Sequence, residues 1–235
     1  MYVMRYIFIF TFLIILPCLI IAQEKDHTAW LALNNSTKFN RTWGMHLDVQ
    51  FRSADRLEYL RNFMFRPGLT YHLNKKANLT LGYMLNDTYT PSEGSGYNRL
   101  TEHRVWEQLL YNVFIGSTVL TNRLRLEQRF IEQSSSDVFS QRLRYMLRAV
   151  VPITRQDSTF KKGPFIGLQD EVFLNLQNKS KLNGSVFDQN RAYLAIGYRF
   201  NPKLDLEAGY LNQFINGKSV NTSNNVMQVA VYTRF

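Results

Sequence analysis

The stretch NRLRLEQRF, residues 122–130, sets Arg123, Arg125, Glu127 and Arg129 on alternate positions, with Leu124, Leu126 and Phe130 between them. Successive side chains of a strand point to opposite faces, so this segment has one charged face and one apolar face. Two architectures accept such a strand. One is a soluble antiparallel sheet with a wet face; the other is a barrel whose outside meets lipid and whose inside is polar.

The same alternation recurs along the chain. In MHLDVQFR, Met45, Leu47, Val49 and Phe51 oppose His46, Asp48, Gln50 and Arg52. In QRLRYMLRAV, Arg142, Arg144 and Arg148 oppose Leu143, Tyr145, Leu147 and Ala149, and in NRAYLAIGYRF, Arg191 and Arg199 oppose Leu194, Ile196 and Tyr198. Eleven segments of this kind lie near 28–39, 42–52, 60–73, 78–89, 101–115, 123–133, 139–151, 164–176, 191–200, 204–215 and 226–235. A sustained i, i+3, i+4, i+7 stripe is missing from every window of helix length after residue 22, so no helix is at hand to cover an open sheet.

Three features favour lipid over a sandwich. Aromatic residues crowd the strand ends, as with Trp43, Tyr71, Tyr83, Tyr89, Tyr111, Tyr198 and Phe200, where interfacial girdles put them. The segments are longer than the five or six residues usual for strands. The chain stops at Phe235, with Thr233, Val231, Val229 and Met227 on the same face, an ending that resembles the C-terminal signal of bacterial outer-membrane barrels. A mean hydropathy of −0.25 agrees, because a barrel hides its apolar surface in alternation.

The first 22 residues read as a cleaved leader: Arg5 is followed by the apolar run from Ile7 to Ile21, and small Ala22 precedes Gln23. Cys18 follows Pro17, a poor context for lipidation. It is the chain's one cysteine, so residues 23–235 can form neither a disulfide nor a thiolate metal site. Arg5 leaves with the leader, so of 28 basic residues 27 remain against 18 acidic ones, a net of +9. An exported basic chain points to lipopolysaccharide, anionic lipid or an anionic solute rather than nucleic acid. No later stretch approaches the roughly 18 apolar residues of a spanning helix, so a membrane would be crossed by strands.

With Phe235 at the periplasmic end, the short turns 201–203, 116–122, 74–77 and 40–41 fall on that side, and the longer ones, 90–99, 134–138, 178–189 and 216–225, fall outside. The link TRQDSTFKK, residues 154–162, breaks this pattern by being long. Bacterial single-chain barrels have even strand numbers, so the expectation is ten to twelve strands, with twelve preferred. On this rule either one segment is missed or split, or 28–39 is no ordinary barrel strand.

Turning the polar faces inward gathers a lumenal charge network of Arg104, Arg123, Arg125, Glu127, Arg129, Arg142, Arg144, Arg148, Glu171, Arg191, Arg199 and Glu207, joined by Asp48, Arg52, Arg66, Glu102 and Asp205. Three function classes follow. The first is a structural ion-pair core, since Arg forks pair carboxylates bidentately. The second is a narrow path or cup for anions. The third is a membrane-embedded lipid hydrolase, for which His103 in TEHRVWEQ is the best base, although no His-x-Ser arrangement accompanies it. No zinc or calcium pattern appears, and nothing asks for a cofactor.

The segments WLALNN, EHRVWEQ, NRLRLEQRF, LRYMLR, QDEVFLNL, DQNRAYLAIGYRF and LEAGYLNQF, in that order, resemble an uncharacterised bacterial family, domain of unknown function 2490, over nearly all of residues 23–235. The resemblance implies an outer-membrane-type barrel and supplies no catalytic or ligand residue. The expectation is therefore an antiparallel up-and-down transmembrane β-barrel over residues 23–235. It would sit in a Gram-negative outer membrane among lipids and lipopolysaccharide, and the barrel-assembly machinery would read its C-terminal strand.

Overall fold

The computed structural model describes residues 23–54, 57–92, 94, 96–133, 136–154 and 160–235. The leader expected at 1–22 lies outside them. Eleven strands follow one another: β1 (Gln23–Lys38), β2 (Trp43–Ala54), β3 (Tyr59–His72), β4 (Ala77–Pro91), β5 (Tyr97–Ile115), β6 (Thr118–Ile131), β7 (Val138–Pro152), β8 (Gly163–Asn175), β9 (Phe187–Asn201), β10 (Leu204–Ile215) and β11 (Asn221–Arg234). They close into a barrel in sequence order. Each of the eleven alternating segments becomes one strand, several starting four or five residues earlier than the apolar pattern shows, as β6 and β11 do.

The preference for twelve strands is corrected. The barrel has eleven, no segment being missed or split, and 28–38 belongs to β1, a full strand of the wall that is set apart by its pairing with β11. With an odd number, the first and last strands run in the same direction, so the seam is parallel: Trp30 stands opposite Gln228, Ala32 opposite Ala230 and Ser36 opposite Arg234. Every other neighbouring pair is antiparallel. Backbone pairing continues past the seam's end, where the Lys38 N–H donates to the Phe235 carbonyl at 2.6 Å and the Phe235 N–H to the Ser36 carbonyl at 2.9 Å.

The two ends differ. The connections 39–42, 73–76, 116–117 and 202–203 lie at the end that carries Phe235, together with the long 153–162. The connections 55–58, 92–96, 132–137, 176–186 and 216–220 lie at the other end, where β1 also begins.

The outer wall is apolar. Leu31, Leu33, Leu69, Leu81, Leu124, Leu194, Ile196 and Val229 are all exposed. Near the Phe235 end, Trp43 packs edge-on to Tyr71 at 5.0 Å and Tyr198 to Phe200 at 5.0 Å; near the other end Phe130 meets Phe139 at 5.1 Å. Tyr83, expected at a strand end, sits in the middle of β4.

The inside is filled rather than hollow where large rings lie against glycines. A Cβ on Gly82 would stand 2.2 Å from Trp106 Cζ2, and one on Gly197 would stand 2.3 Å from Phe165 Cζ. Only the absence of a side chain lets those rings lie flat on the wall. Trp106, Phe165 and Phe173 are fully enclosed.

Candidate functional site in the barrel interior

Glu127 on β6 is the hub of the interior. It stands across from Arg142, and Arg125, two positions earlier, stands across from Arg144. The pleat turns all four inward, and the charges then find each other by reaching diagonally. Arg144 Nη1 donates to Glu127 Oε1 at 2.6 Å, while Arg142 donates to Oε2 through Nη2 at 2.7 Å and Nε at 3.0 Å. Arg104 Nη1 stands 3.5 Å away. Two carboxylates extend the net on either side. Glu171 on β8 accepts from Arg144 Nε at 2.9 Å and Arg123 Nη2 at 2.7 Å. Glu102 on β5 accepts a bidentate fork from Arg104, both bonds at 2.7 Å, and Arg129 Nε at 2.6 Å. Asp188 at the start of β9 closes the chain by accepting from Arg142 Nη1 at 2.9 Å. Asp48 and Arg66 form a separate pair at 2.7 Å.

Two smaller groups lie toward the Phe235 end. Glu207 accepts from Arg148 Nη2 at 2.5 Å and from the Tyr232 hydroxyl at 2.8 Å. Asp205 takes the Arg199 fork at 2.7 and 2.8 Å and Arg234 Nη2 at 2.6 Å. Aromatic rings carry the remaining guanidinium faces: Arg125 lies over Trp106 at 4.5 Å, and Arg144 and Arg191 lie over Phe173 at 4.4 and 4.7 Å. Charge-assisted forks and cation–π stacking are what make an ionised interior tolerable when water is displaced.

Three guanidinium groups depart from this scheme, because each has a glutamine carbonyl where the others have a carboxylate. Arg52 binds Gln50 at 2.6 Å, Arg125 binds Gln108 at 2.7 Å, and Arg191 binds Gln189 at 3.3 Å. The nearest carboxylate oxygen to Arg125 is that of Glu127 at 3.9 Å.

A family model described as "Protein of unknown function (DUF2490)" matches residues 27–224. This chain belongs to that family. The match takes in β2 to β10 entire and all of the net around Glu127. No curated protein and no solved structure matches.

In this DUF2490 barrel the twelve residues expected from sequence all face inward but divide. Arg104, Arg123, Arg125, Glu127, Arg129, Arg142, Arg144 and Glu171 stand in the central net, Arg148 pairs Glu207, Arg199 pairs Asp205, and Arg191, across the ladder from Glu171, bonds Gln189 and makes no ion pair within 4.0 Å. Asp188 escaped the sequence reading because it stands at the strand start, before the alternation sets in; Tyr232 and Arg234 escaped it although Met227, Val229, Val231 and Thr233 on the opposite face left them the inward parity. The enclosed rings had a legible signal: Trp30, Trp106, Phe165 and Phe173 share their parity with charged or amide residues of the same strands. His103 lies on the outer wall. Its Nδ1 bonds the Tyr83 hydroxyl, its one hydrogen-bond partner among the described residues. Also among the described residues, no group of three or more His, Asp or Glu could hold a metal ion.

Proposed function

We propose that this protein is an outer-membrane β-barrel with a sealed interior, whose charge network holds the wall in register rather than conducting solute. The observation that carries the reading is the pairing of an apolar outer wall with an interior occupied by ion-paired arginines and enclosed rings. An aqueous surroundings would leave Leu194, Ile196 and Leu81 facing water, and a soluble chain rarely shows so continuous an apolar belt. On this reading the leader ending at Ala22 exports the chain, lipids and lipopolysaccharide surround it, and the assembly machinery engages β11. The longer connections other than 153–162 face outward on this reading, so β1 starts at the outer rim.

The test is insertion. Residues 23–235, refolded from urea with phospholipid vesicles, should float with the vesicles and run as a compact band on gels until heated. A protein that stays folded in solution without detergent or lipid would overturn the reading. A second reading, an anion-conducting path, is favoured by the three guanidinium groups that bond glutamines in place of carboxylates, and the absence of conductance separates the two.

A further inference from the structure

Arg52 on β2 and Arg191 on β9 share one aromatic ring. Their guanidinium carbons lie 3.6 and 5.2 Å from the centroid of Trp30, so two like charges meet around a single indole. Arg52 spends Nε and Nη2 on Gln50 Oε1, at 3.1 and 2.6 Å, and Arg191 spends Nη2 on Gln189 Oε1 at 3.3 Å. Arg191 Nε is enclosed with no partner. Among the described residues neither guanidinium has a carboxylate within 4.0 Å. The carboxylates nearby are engaged: Asp48 with Arg66, Asp188 with Arg142, Glu171 with Arg123 and Arg144. Arg52 is 8% exposed and Trp30 5% exposed, while Arg191 is half-buried, so water replaces little of the missing counter-charge at Arg52.

The approach to this pair is neutral. Between it and the rim where β1 begins stand amides and a hydroxyl that bond one another: Gln213 Nε2 to Gln189 Oε1 at 2.6 Å, and Thr28 Oγ1 to Asn224 Oδ1 at 3.0 Å. Asp26, an acidic group at that rim, is held by Arg61 at 2.8 Å. An anion that passes these bonded amides and the Thr28 hydroxyl meets dipoles on its way to the pair.

We propose that Arg52 and Arg191 form a binding site for a phosphate-type dianion, an inorganic phosphate or a small phosphomonoester, beside Trp30. The donors that Gln50 and Gln189 leave free on two planar guanidinium groups match the spaced oxygens of such a group, and two positive charges without a carboxylate hydrogen bond match its charge. A chloride ion would meet the charge but leave most of the donors unused. The site needs only the folded barrel, so it stands or falls separately from the sealed outer-membrane reading.

The test uses residues 23–235 folded in an uncharged detergent. Sodium phosphate is titrated at constant ionic strength, with binding read by calorimetry and by indole fluorescence, and chloride and methylphosphate are run in parallel. We expect saturable phosphate and methylphosphate binding, and a loss of about tenfold or more in affinity, which is about 1.4 kcal/mol, for Arg191→Gln and for Arg52→Gln. Because those variants leave amides in a charged wall and can fail to fold, Gln50→Glu and Gln189→Glu serve as the second set. Each supplies the missing carboxylate and should abolish phosphate binding while the heat-modified gel shift is kept. Lack of saturable phosphate binding to the folded wild type would overturn the proposal, as would unchanged affinity in folded Gln50→Glu and Gln189→Glu. So would binding to lipopolysaccharide with none to free phosphate, since an acylated headgroup cannot enter the lumen and would be held outside.

Discussion

Replacing Glu127 by Gln keeps the side chain's shape and removes its charge. In the native barrel this carboxylate is fully enclosed and accepts three hydrogen bonds, two from Arg142 and one from Arg144. Glutamine keeps one acceptor oxygen and turns an N–H₂ group toward the other guanidinium. At least one buried fork is then left facing a donor, and breaking a buried pair by removing one partner costs about 3–5 kcal/mol. Against the roughly 5–15 kcal/mol that holds a typical domain together, this is a large loss. Urea unfolding in detergent or lipid, followed by tryptophan fluorescence, gives the midpoint and slope from which it is read. Arg144→Met is the partner variant. Arg144 and Glu127 are in direct contact at 2.6 Å, so the double variant should cost clearly less than the two single losses added together. Lys181→Gln, in an exposed connection, should stay within about 0.5 kcal/mol of wild type. If Glu127→Gln also falls within about 0.5 kcal/mol of wild type, the interior is wet enough to screen the charge and the reasoning fails.

Gly82→Leu should destabilise by about 1–3 kcal/mol through overpacking, because its Cβ alone meets the Trp106 ring at 2.2 Å, and Trp106→Leu in the same chain should recover part of the loss. Cysteines at Ala32 and Ala230, which the parallel seam sets opposite each other, should oxidise to a disulfide visible on non-reducing gels; a register that leaves them apart would give none. Leu194→Arg, on the outer wall at 55% exposure, should cost about 2–4 kcal/mol in a bilayer if the wall faces its midplane, and close to nothing if the wall faces water.

Strand positions were legible because period two survives in every segment: Leu124 and Leu126 lie on the outer face while Arg123 and Arg125 turn in. The number of strands was legible too, and a general rule of even numbers argued against it. A parallel and an antiparallel seam ask for the same alternation, so nothing within Thr28 to Ser36 shows which neighbour the strand will choose or in which direction. Pairing inside the lumen was hidden for a related reason. Whether Arg123 reaches Glu127 on its own strand or Glu171 two strands away, at 2.7 Å, depends on the stagger of the closed barrel, which is set by all eleven strands together. The outer wall also carries polar groups, His103 and Glu107 among them; Asp170, on the outward parity of β8, accepts from Asn190 Nδ2 at 2.8 Å. The pair shows how a polar group on that face is satisfied by its cross-strand neighbour.

The sealed interior is tested most directly by single-channel recording of residues 23–235 in a planar bilayer, after the heat-dependent gel shift has shown the barrel closed. We expect a silent membrane at both polarities, because Trp106, Phe165 and Phe173 are enclosed in the lumen, with Arg125 stacked on Trp106 and Arg144 on Phe173. Steady steps that favour chloride over potassium would contradict this and would make the arginine-rich face the lining of an open anion channel.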